Sequence, residues 1–406
     1  MPSLLWINQF ALLPGDGGGT RHFELGRELA GKGWRVTILA SDLHLHRRQY
    51  SHRDSGDDRQ TIYTEVDGVR IGWVWAARYQ RNDWRRAWNW LTFYRSVVRE
   101  YARSNEKPDI VIGSSPQLLA AAAGRRVARK LGVPFVFEVR DLWPESLLAA
   151  GGRRGMAYHL LARLASRLYD SADTILVLAR GSRDYLIEQG VPARKIAYVP
   201  NGVDINLVTP AAACERSADK PFTLIYAGAH GPANGLDRVV EAAAMLGRSA
   251  NVRILLVGDG PIKNDLREEA GRRHLANVEF HEPVSKFRLA EMLRQADAGL
   301  MVLRDAPLFS FAVSPNKLFD YLAAGLPVVC NVPGDVAQMV DSAAAGIQAQ
   351  DTSAAALAAA ISKMASLTLE QRRQMGVSGR KWVATEHSRE VLGENLHALL
   401  RARTSL

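Results

Sequence analysis

The sequence predicts an α/β protein built from two doubly wound, Rossmann-like parallel-sheet domains that face a cleft. Three observations carry that expectation. Short, almost wholly apolar runs alternate with helix-length amphipathic stretches, the pattern of parallel strands covered on both faces. The alternation fills residues 1–200 and starts afresh near residue 223. Most of the runs end in glycine, asparagine or charged residues, and ligands of open α/β sheets bind beyond the carboxyl ends of strands.

In the first half, Leu4–Phe10, Val36–Ser41, Val69–Ala76, Asp109–Ser115, Phe135–Asp141 and Thr174–Ala179 read as strands. Helical periodicity lies between them at Thr20–Lys32, Leu118–Leu131 and Ala157–Ser171. The second half continues with Thr223–Gly228, Val252–Gly258, Val278–His281, Gly299–Leu303, Pro327–Cys330 and Gly346–Gln350. These expectations give a first domain over 1–200 and a second over 201–385. The join falls near Pro200-Asn201-Gly202, with polar Thr209–Lys220 as a surface connection. From about Thr368 the tail looks helical, and its last part, 386–406, is expected to return to the first domain.

A chain of 406 residues with 47% hydrophobic content can form two cores. No stretch approaches the ~20 apolar residues of a spanning helix, and Leu4–Phe10 is too short for a secretory leader. Cys214 and Cys330 sit in no metal-ligand spacing, so a reducing cytoplasm is the expected setting and no metal is expected. Charge is polarised. Residues 1–200 carry 30 Lys+Arg against 20 Asp+Glu, while 201–406 carry 22 of each. The basic half is therefore expected to face a polyanion or an anionic membrane surface.

After the first strand comes a loop, Pro14-Gly15-Asp16-Gly17-Gly18-Gly19-Thr20, that opens a helix and suits an anion. It does not match the dinucleotide fingerprint, and Asp42 is the nearest acid for a ribose, so a nicotinamide cofactor fits poorly. The stretch Arg81–Arg103 reads as an amphipathic helix, with Trp84, Ala87, Trp88, Leu91, Tyr94, Val98 and Tyr101 to one side. Arg85, Asn89, Arg95, Arg99 and Arg103 gather elsewhere. Such a helix either lies in a membrane interface through Trp84, Arg85, Trp88, Trp90 and Arg95, or packs its aromatic face on the sheet. His44–Arg59 would serve the same anionic surface or form a loop. Glu138, Arg140, Asp141 and Glu145 set four charges at the end of an apolar strand, either at a cleft or as an Arg140–carboxylate pair.

In the second half, Gly228, Gly231, Asn234 and Gly235 lie in a turn that opens a helix. Gly258-Asp259-Gly260 follows the next strand and Pro283-Val284 the one after. The most informative stretch is Ser314–Val329, SPNKLFDYLAAGLPVV. Ser314 reads as its N-cap and Pro315 as its first helical residue, with Gly325 and Pro327 ending the helix. Free N–H groups at Asn316, the helix dipole and the Lys317 ammonium suit a phosphate, and Asp320 one turn on suits a ribose diol.

These motifs, with VRDLWPES, VPNGVD, YAG…GL and LVGDGP, give the chain a resemblance along its whole length to the GT-B-fold retaining glycosyltransferases of family 4. It is most similar to the bacterial O-antigen and capsule branch of L-fucosamine transferase type. The resemblance implies that the second domain binds a UDP- or GDP-sugar. Gly258, Asp259, Gly260 and Val284 would flank the base and Asp320 the ribose. Gly228, Gly231, Asn234, Gly235, Pro315, Asn316 and Lys317 would hold the diphosphate, and Gly17, Gly18 and Gly19 would approach it from the other domain. It implies no metal, with Lys317 aiding the leaving group and Arg140 and Asp141 standing where the family carries a His-Asp pair. Three departures stand out: Ala312 where the family has a glutamate, Arg140 for histidine, and no Arg-Lys pair before Gly235. The implied acceptor is a polyprenyl-diphosphate-linked saccharide at the inner face of the plasma membrane. A sugar-nucleotide epimerase, a transferase to a small soluble acceptor and a basic nucleic-acid-binding protein are the alternatives; no nucleic-acid motif supports the last.

Overall fold

The computed structural model describes all residues except 15–18, 46, 55–57, 82, 104–105, 150, 208–219, 248–250 and 405–406. It divides into two compact units. Unit 1 comprises Met1–Pro200 with Arg389–Leu406, and unit 2 comprises Asn201–Ser388.

Unit 1 contains β1 (Ser3–Ile7), α1 (Arg21–Gly31), β2 (Arg35–Ser41), β3 (Ile62–Val66), β4 (Val69–Val74), α2 (Trp84–Arg103) and β5 (Ile110–Ser114). It continues with α3 (Leu118–Leu131), β6 (Phe135–Val139), α4 (Glu145–Ala149), α5 (Met156–Ser171), β7 (Thr174–Val177), α6 (Arg180–Glu188) and β8 (Ile196–Tyr198). The strands form one sheet ordered β3-β4-β2-β1-β5-β6-β7-β8. Every pair is parallel except β3–β4. β1, β5, β6 and β7 are buried at every position, which explains their continuous apolar sequence. Two strands go beyond the six expected. β3 is a half-exposed edge joined to β4 through Asp67 and Gly68, both at positive φ, a hairpin signal that Asp-Gly spells out. β8 has only three residues.

Unit 2 contains β9 (Phe222–Ala227), α7 (Leu236–Leu246), β10 (Val252–Val257), α8 (Lys263–Arg272), β11 (Val278–His281), α9 (Lys286–Gln295), β12 (Ala298–Met301) and α10 (Pro307–Phe311). Then follow α11 (Asn316–Ala323), β13 (Val328–Cys330), α12 (Asp335–Ser342), β14 (Gly346–Gln348), α13 (Ala354–Ser366) and α14 (Leu369–Glu386). Its sheet is wholly parallel, ordered β11-β10-β9-β12-β13-β14. One core packs α7, α8 and α13 on one face, and a second packs α9, α11, α12 and α14 on the other. α14 starts with a capping box of Thr368 and Gln371. It lies close to α11 because Gly376 and Gly379 present no side chain: a Cβ at 376 would collide with the Gly325 carbonyl oxygen.

The last helix, α15 (Arg389–Arg401), belongs to unit 1, where Leu392, Leu396 and Leu400 are buried against α1. Gly393 sits over the Glu28 side chain, and Trp34 Nε1 lies 3.0 Å from His397 Nδ1.

A buried charge network fixes the start of α1. Glu138, with no exposed surface, accepts from Arg21 Nε at 2.9 Å and Ser114 Oγ at 2.6 Å, and His22 Nε2 lies 2.9 Å from it. Burial opposes the charge on Glu138, but the His22 contact and the Arg21 guanidinium hold its pKa well below the usual range. Burial lowers Arg21 to about 10, so it stays charged, and His22 to about 4, so it is neutral near pH 7. Arg21 also donates to the carbonyls of Val199 and Pro200. Glu24 on the same turn pairs with Arg389 at 2.5 Å. The four-charge segment therefore resolves differently from an Arg140–carboxylate pair: Glu138 is taken by Arg21. Asp42 is equally committed, accepting from Arg53 Nε at 2.5 Å and lying 2.9 Å from His52 Nδ1.

Removing one partner of a buried pair leaves an uncompensated charge. Arg389→Met is expected to cost about 3–5 kcal/mol of stability, measured as a lowered urea midpoint.

Candidate functional site

The site in unit 2 is organised by α11. Its apolar face, Leu318, Phe319, Tyr321 and Leu322, is fully buried, and Gly325 at φ 69° ends it, with Leu326 N–H returning to the Tyr321 carbonyl. The start differs from the sequence expectation. Pro315, not Ser314, occupies the N-cap position, and no side chain caps the helix. Ser314 is engaged elsewhere: its hydroxyl accepts from Asn201 N–H at 3.0 Å and its carbonyl accepts from Asn201 Nδ2 at 2.7 Å. A proline N-cap has no side-chain acceptor; Leu318 N–H donates to the Pro315 carbonyl at 3.2 Å, and the N–H groups of Asn316 and Lys317, with the positive end of the dipole, are left for another acceptor.

Lys317 stands at this helix start. Its Nζ donates to the Tyr226 hydroxyl at 3.1 Å and to Asn234 Oδ1 at 3.4 Å, and lies 4.3 Å from the Tyr226 ring centroid. Among the described residues no carboxylate pairs with it. Desolvation lowers its pKa to about 7. An ammonium given a phenol, an amide and no counter-ion favours an anion as its third partner.

The glycine turns around it also hold neighbouring loops together. A Cβ at Gly258 would collide with the Gly228 carbonyl oxygen, and one at Gly260 with the His230 carbonyl. Gly235, at φ 62°, would meet the Leu303 carbonyl at 2.8 Å. These glycines lock one strand-end loop onto the next, and only Gly228, 3.5 Å from Lys317 Cε, abuts the ammonium. His230 N–H donates to the Asp259 carbonyl at 2.8 Å, tying the two turns. Its ring is fully buried between Tyr226 and Phe280 with neither nitrogen bonded, and burial lowers its pKa to about 4.

Gly228, Asn234, Gly258 and Lys317 thus meet at the carboxyl edge of the sheet. Gly231 and Gly235 bracket the single helical turn Pro232–Asn234 that carries Asn234. Asp259 is exposed, Pro315, Asn316 and Asp320 are half-buried, and Val284 packs against the core under α11. Asp320, three residues after Lys317, shares its helix face. Sequence reasoning missed Tyr226, which seats Lys317, and Tyr321, whose hydroxyl accepts from Ala227 N–H at 2.9 Å and fixes the end of β9. Both tyrosines sit at positions that read as plain core.

In unit 1, Gly17 and Gly18 lie outside the described residues; Gly19 is exposed just before α1. Arg140 donates its N–H to Ser115 Oγ at 2.8 Å, and its buried Nε has no acceptor among the described residues. Asp141 follows β6, where desolvation raises its pKa and the Arg140 charge offsets part of this.

The faces of α2 also differ from expectation. The packed side runs through Asn89, Phe93, Val97 and Tyr101, with the Asn89 amide bonded to Gln9 and the Ala77 carbonyl. Asn89 was expected with the arginines, but those two bonds draw it inward. Trp84 (71% exposed) and Trp88 (44%) lie outside with Arg85 and Arg95, the Arg95 guanidinium 5.5 Å from the Trp88 ring. Trp90 is half-buried, edge-to-face with Trp143 at 6.3 Å. No helix among the described residues is long and apolar enough to cross a membrane, and no group of three or more His, Cys, Asp or Glu among them could hold a metal ion.

Residues 16–202 match the family Glycosyl transferase 4-like domain, and residues 212–382 match Glycosyl transferases group 1. The chain is 28% identical over 236 residues to "Putative colanic acid biosynthesis glycosyl transferase WcaI" of Escherichia coli (strain K12), covering 55% of this chain and 57% of that one. It is 24% identical over 295 residues to "Probable glycosyltransferase WbjE" of Pseudomonas aeruginosa, covering 67% and 70%. The match thus spans little more than half the length of the first relative. Among solved structures, Anabaena Alr3699/HepE in complex with UDP and glucose superposes with a TM-score of 0.69 at 15% identity, covering 99% of both chains, and shares the GT-B fold.

Desolvated Lys317 should titrate near pH 7, while exposed lysines titrate near about 10.4. NMR of the reductively ¹³C-methylated protein measures this; a Lys317 midpoint with the other lysines would show a solvated amine.

Proposed function

The chain, both halves of which match glycosyltransferase families, belongs to the family 4 glycosyltransferases of GT-B fold, and we propose that it moves a hexosyl residue from a nucleotide-diphosphate donor to a hydroxyl of a lipid-linked saccharide, with retention. The donor is a UDP-sugar in preference to a GDP-sugar, with an N-acetylated amino sugar as the candidate group. The setting is O-antigen or capsule assembly by the L-fucosamine transferase type of this family, at the cytoplasmic face of the plasma membrane. The colanic acid relative supports the polysaccharide setting, and the UDP complex of the Anabaena protein supports the donor class. The observation that carries the reading is the unpaired Lys317 ammonium at the uncapped start of α11.

Breaking the bond from the sugar C1 to the diphosphate oxygen separates an oxocarbenium-like sugar from an anion. Donors already aimed at the leaving oxygens act where that charge develops. Lys317 and the N–H groups of Asn316 and its neighbours do so without a metal, so activity persists in EDTA. The acceptor oxygen bonds to C1 on the face the diphosphate leaves, and its proton passes to the departing phosphate oxygen. Asp141 orients the acceptor hydroxyl, and Asp320 holds the ribose.

The outer side of α2 is the membrane-facing surface in this reading. Exposed Trp84 and Trp88 are interleaved with Arg85 and Arg95, which suits an anionic interface, each basic residue adding about 1 kcal/mol near the lipid.

Lys317→Gln should weaken UDP binding by roughly tenfold to a hundredfold, about 1.4–2.8 kcal/mol, in calorimetry. The sign of the pH effect follows from the lowered pKa. Binding needs the charged amine, which the free protein loses above about 7. From about pH 7.5 upward, where the UDP phosphate is already ionised, affinity should fall by up to about tenfold per unit. Lys317→Arg should flatten that slope, and wild-type affinity that stays flat would refute the role. In flotation assays, Trp84→Ser/Trp88→Ser should lose association with anionic liposomes at low salt while keeping UDP affinity.

A further inference from the structure

Large apolar side chains left exposed among the described residues mostly stand apart from one another. Ile187, Met245 and Phe287 occur singly on their helices, and Leu369 and Val377 are more than two turns apart on α14. Two pairs differ, each spaced by four residues and so set on adjacent turns of one helix face. One is Trp84 and Trp88 on α2; the other is Met156 (81% exposed) and Leu160 (60%) on α5.

The sheet order places both pairs on the same side of unit 1. Right-handed crossovers put α2, α3 and α5, which lead from β4 to β5, β5 to β6 and β6 to β7, on one face, and α1, which returns from β1 to β2, on the other. α3 packs against both α2 and α5. Each of these helices runs back from the carboxyl edge of the sheet, so α2 and α5 start at that edge. They are also longer than the strands they cover. The 16 residues of α5 span about 24 Å, against about 17 Å for the five of β6. The first turns of α5 therefore have no sheet beneath them, and its buried residues, Ala165 and Leu168, come only in its second half.

Charge says what would cover this overhang. Exposed Arg153 and Arg154 precede α5, and exposed Arg163 stands one turn beyond Leu160. The only acid of the helix, Asp170, is in its last turn. The start is held in place by Tyr158, whose hydroxyl donates to Glu145 Oε1 at 3.5 Å and whose ring lies 5.8 Å from the Arg154 guanidinium. Apolar tips ringed by guanidiniums match a surface that is anionic outside and apolar beneath.

We propose that the first two turns of α5 make a second contact with an anionic phospholipid surface, Met156 and Leu160 entering the boundary between headgroups and acyl chains while Arg153, Arg154 and Arg163 meet lipid phosphates. This rests on the membrane reading of α2 above and adds a separate point of attachment. Two contacts on one side of the sheet, both at its carboxyl edge, restrict how unit 1 can rotate on the lipid, which a single helix does not.

Bimane attached to Leu160→Cys in a Cys214→Ser background tests the contact, Cys330 being buried. Vesicles of phosphatidylglycerol and phosphatidylcholine at low salt should shift its emission to the blue, and phosphatidylcholine alone should not. The same label on Val377→Cys, exposed on α14, should stay unshifted. Arg153→Gln/Arg154→Gln/Arg163→Gln should partition into the anionic vesicles at least about tenfold more weakly, since each charge near such lipid is worth roughly a factor of five. Met156→Ser/Leu160→Ser should weaken partitioning as well, with an unchanged melting temperature. An unshifted Leu160 label on protein that floats with the vesicles overturns the α5 contact and leaves that of α2 standing. Protein that never floats sinks both. An equal shift with phosphatidylcholine alone overturns the role of the arginines, and a shift that grows with protein concentration in the absence of lipid makes a second copy the occupant and overturns the proposal.

Discussion

A positive charge placed without a counter-ion in a poorly solvated setting is the constraint on which the second unit turns. Lys317 could have been neutralised by one aspartate from a neighbouring loop. Instead it is given a phenol and a carboxamide, which orient its protons and contribute no charge. Everything around it is fixed. Tyr226 is a core residue of β9, Tyr321 bonds the end of that strand, and glycines at 228, 258 and 260 press the loops together. The free protein thus maintains a desolvated ammonium without a counter-ion.

Unit 1 handles charge in the opposite way near its centre. Glu138, Glu24 and Asp42 are buried and matched, the first two by or on the first turns of α1. Among the described residues, unmatched groups lie toward the strand ends and the outer surface. Arg48 and Arg140 lie at the carboxyl edge, and Trp84, Arg85, Trp88 and Arg95 lie along α2. The excess of basic residues in the first half is thus partly consumed by internal pairing and partly displayed. Net charge alone does not separate these two uses.

The alternation of apolar runs and helices located all the central strands, because residues buried on both faces must be continuously apolar. It missed β3, whose solvent side dilutes the apolar signal, and β8, which is too short to register. Strand ends were read too long, as at Asn8, whose side chain accepts from Phe10 N–H at 2.7 Å and bends the chain away. Ser314 misled because capping preference is local, whereas its hydroxyl is claimed by Asn201, far away in sequence. The face of α2 misled because asparagine is usually exposed, and only the partners Gln9 and Ala77 make Asn89 a core residue. Lys317 and Asn234 were legible as candidate residues from their motifs. That they touch each other was not.

The discontinuity of unit 1 orders its assembly during synthesis. Unit 2 is one unbroken stretch whose sheet is complete by Gln348. Unit 1 is begun before unit 2 and closed after it: Leu392, Leu396 and Leu400 cover α1, and Arg389 neutralises Glu24, only once the segment that follows unit 2 has been made. Until then the nascent domain holds a buried acid lacking its arginine and an apolar helix face open to water. The apolar surface left open in the meantime belongs to the unit whose first segment precedes unit 2 in the chain.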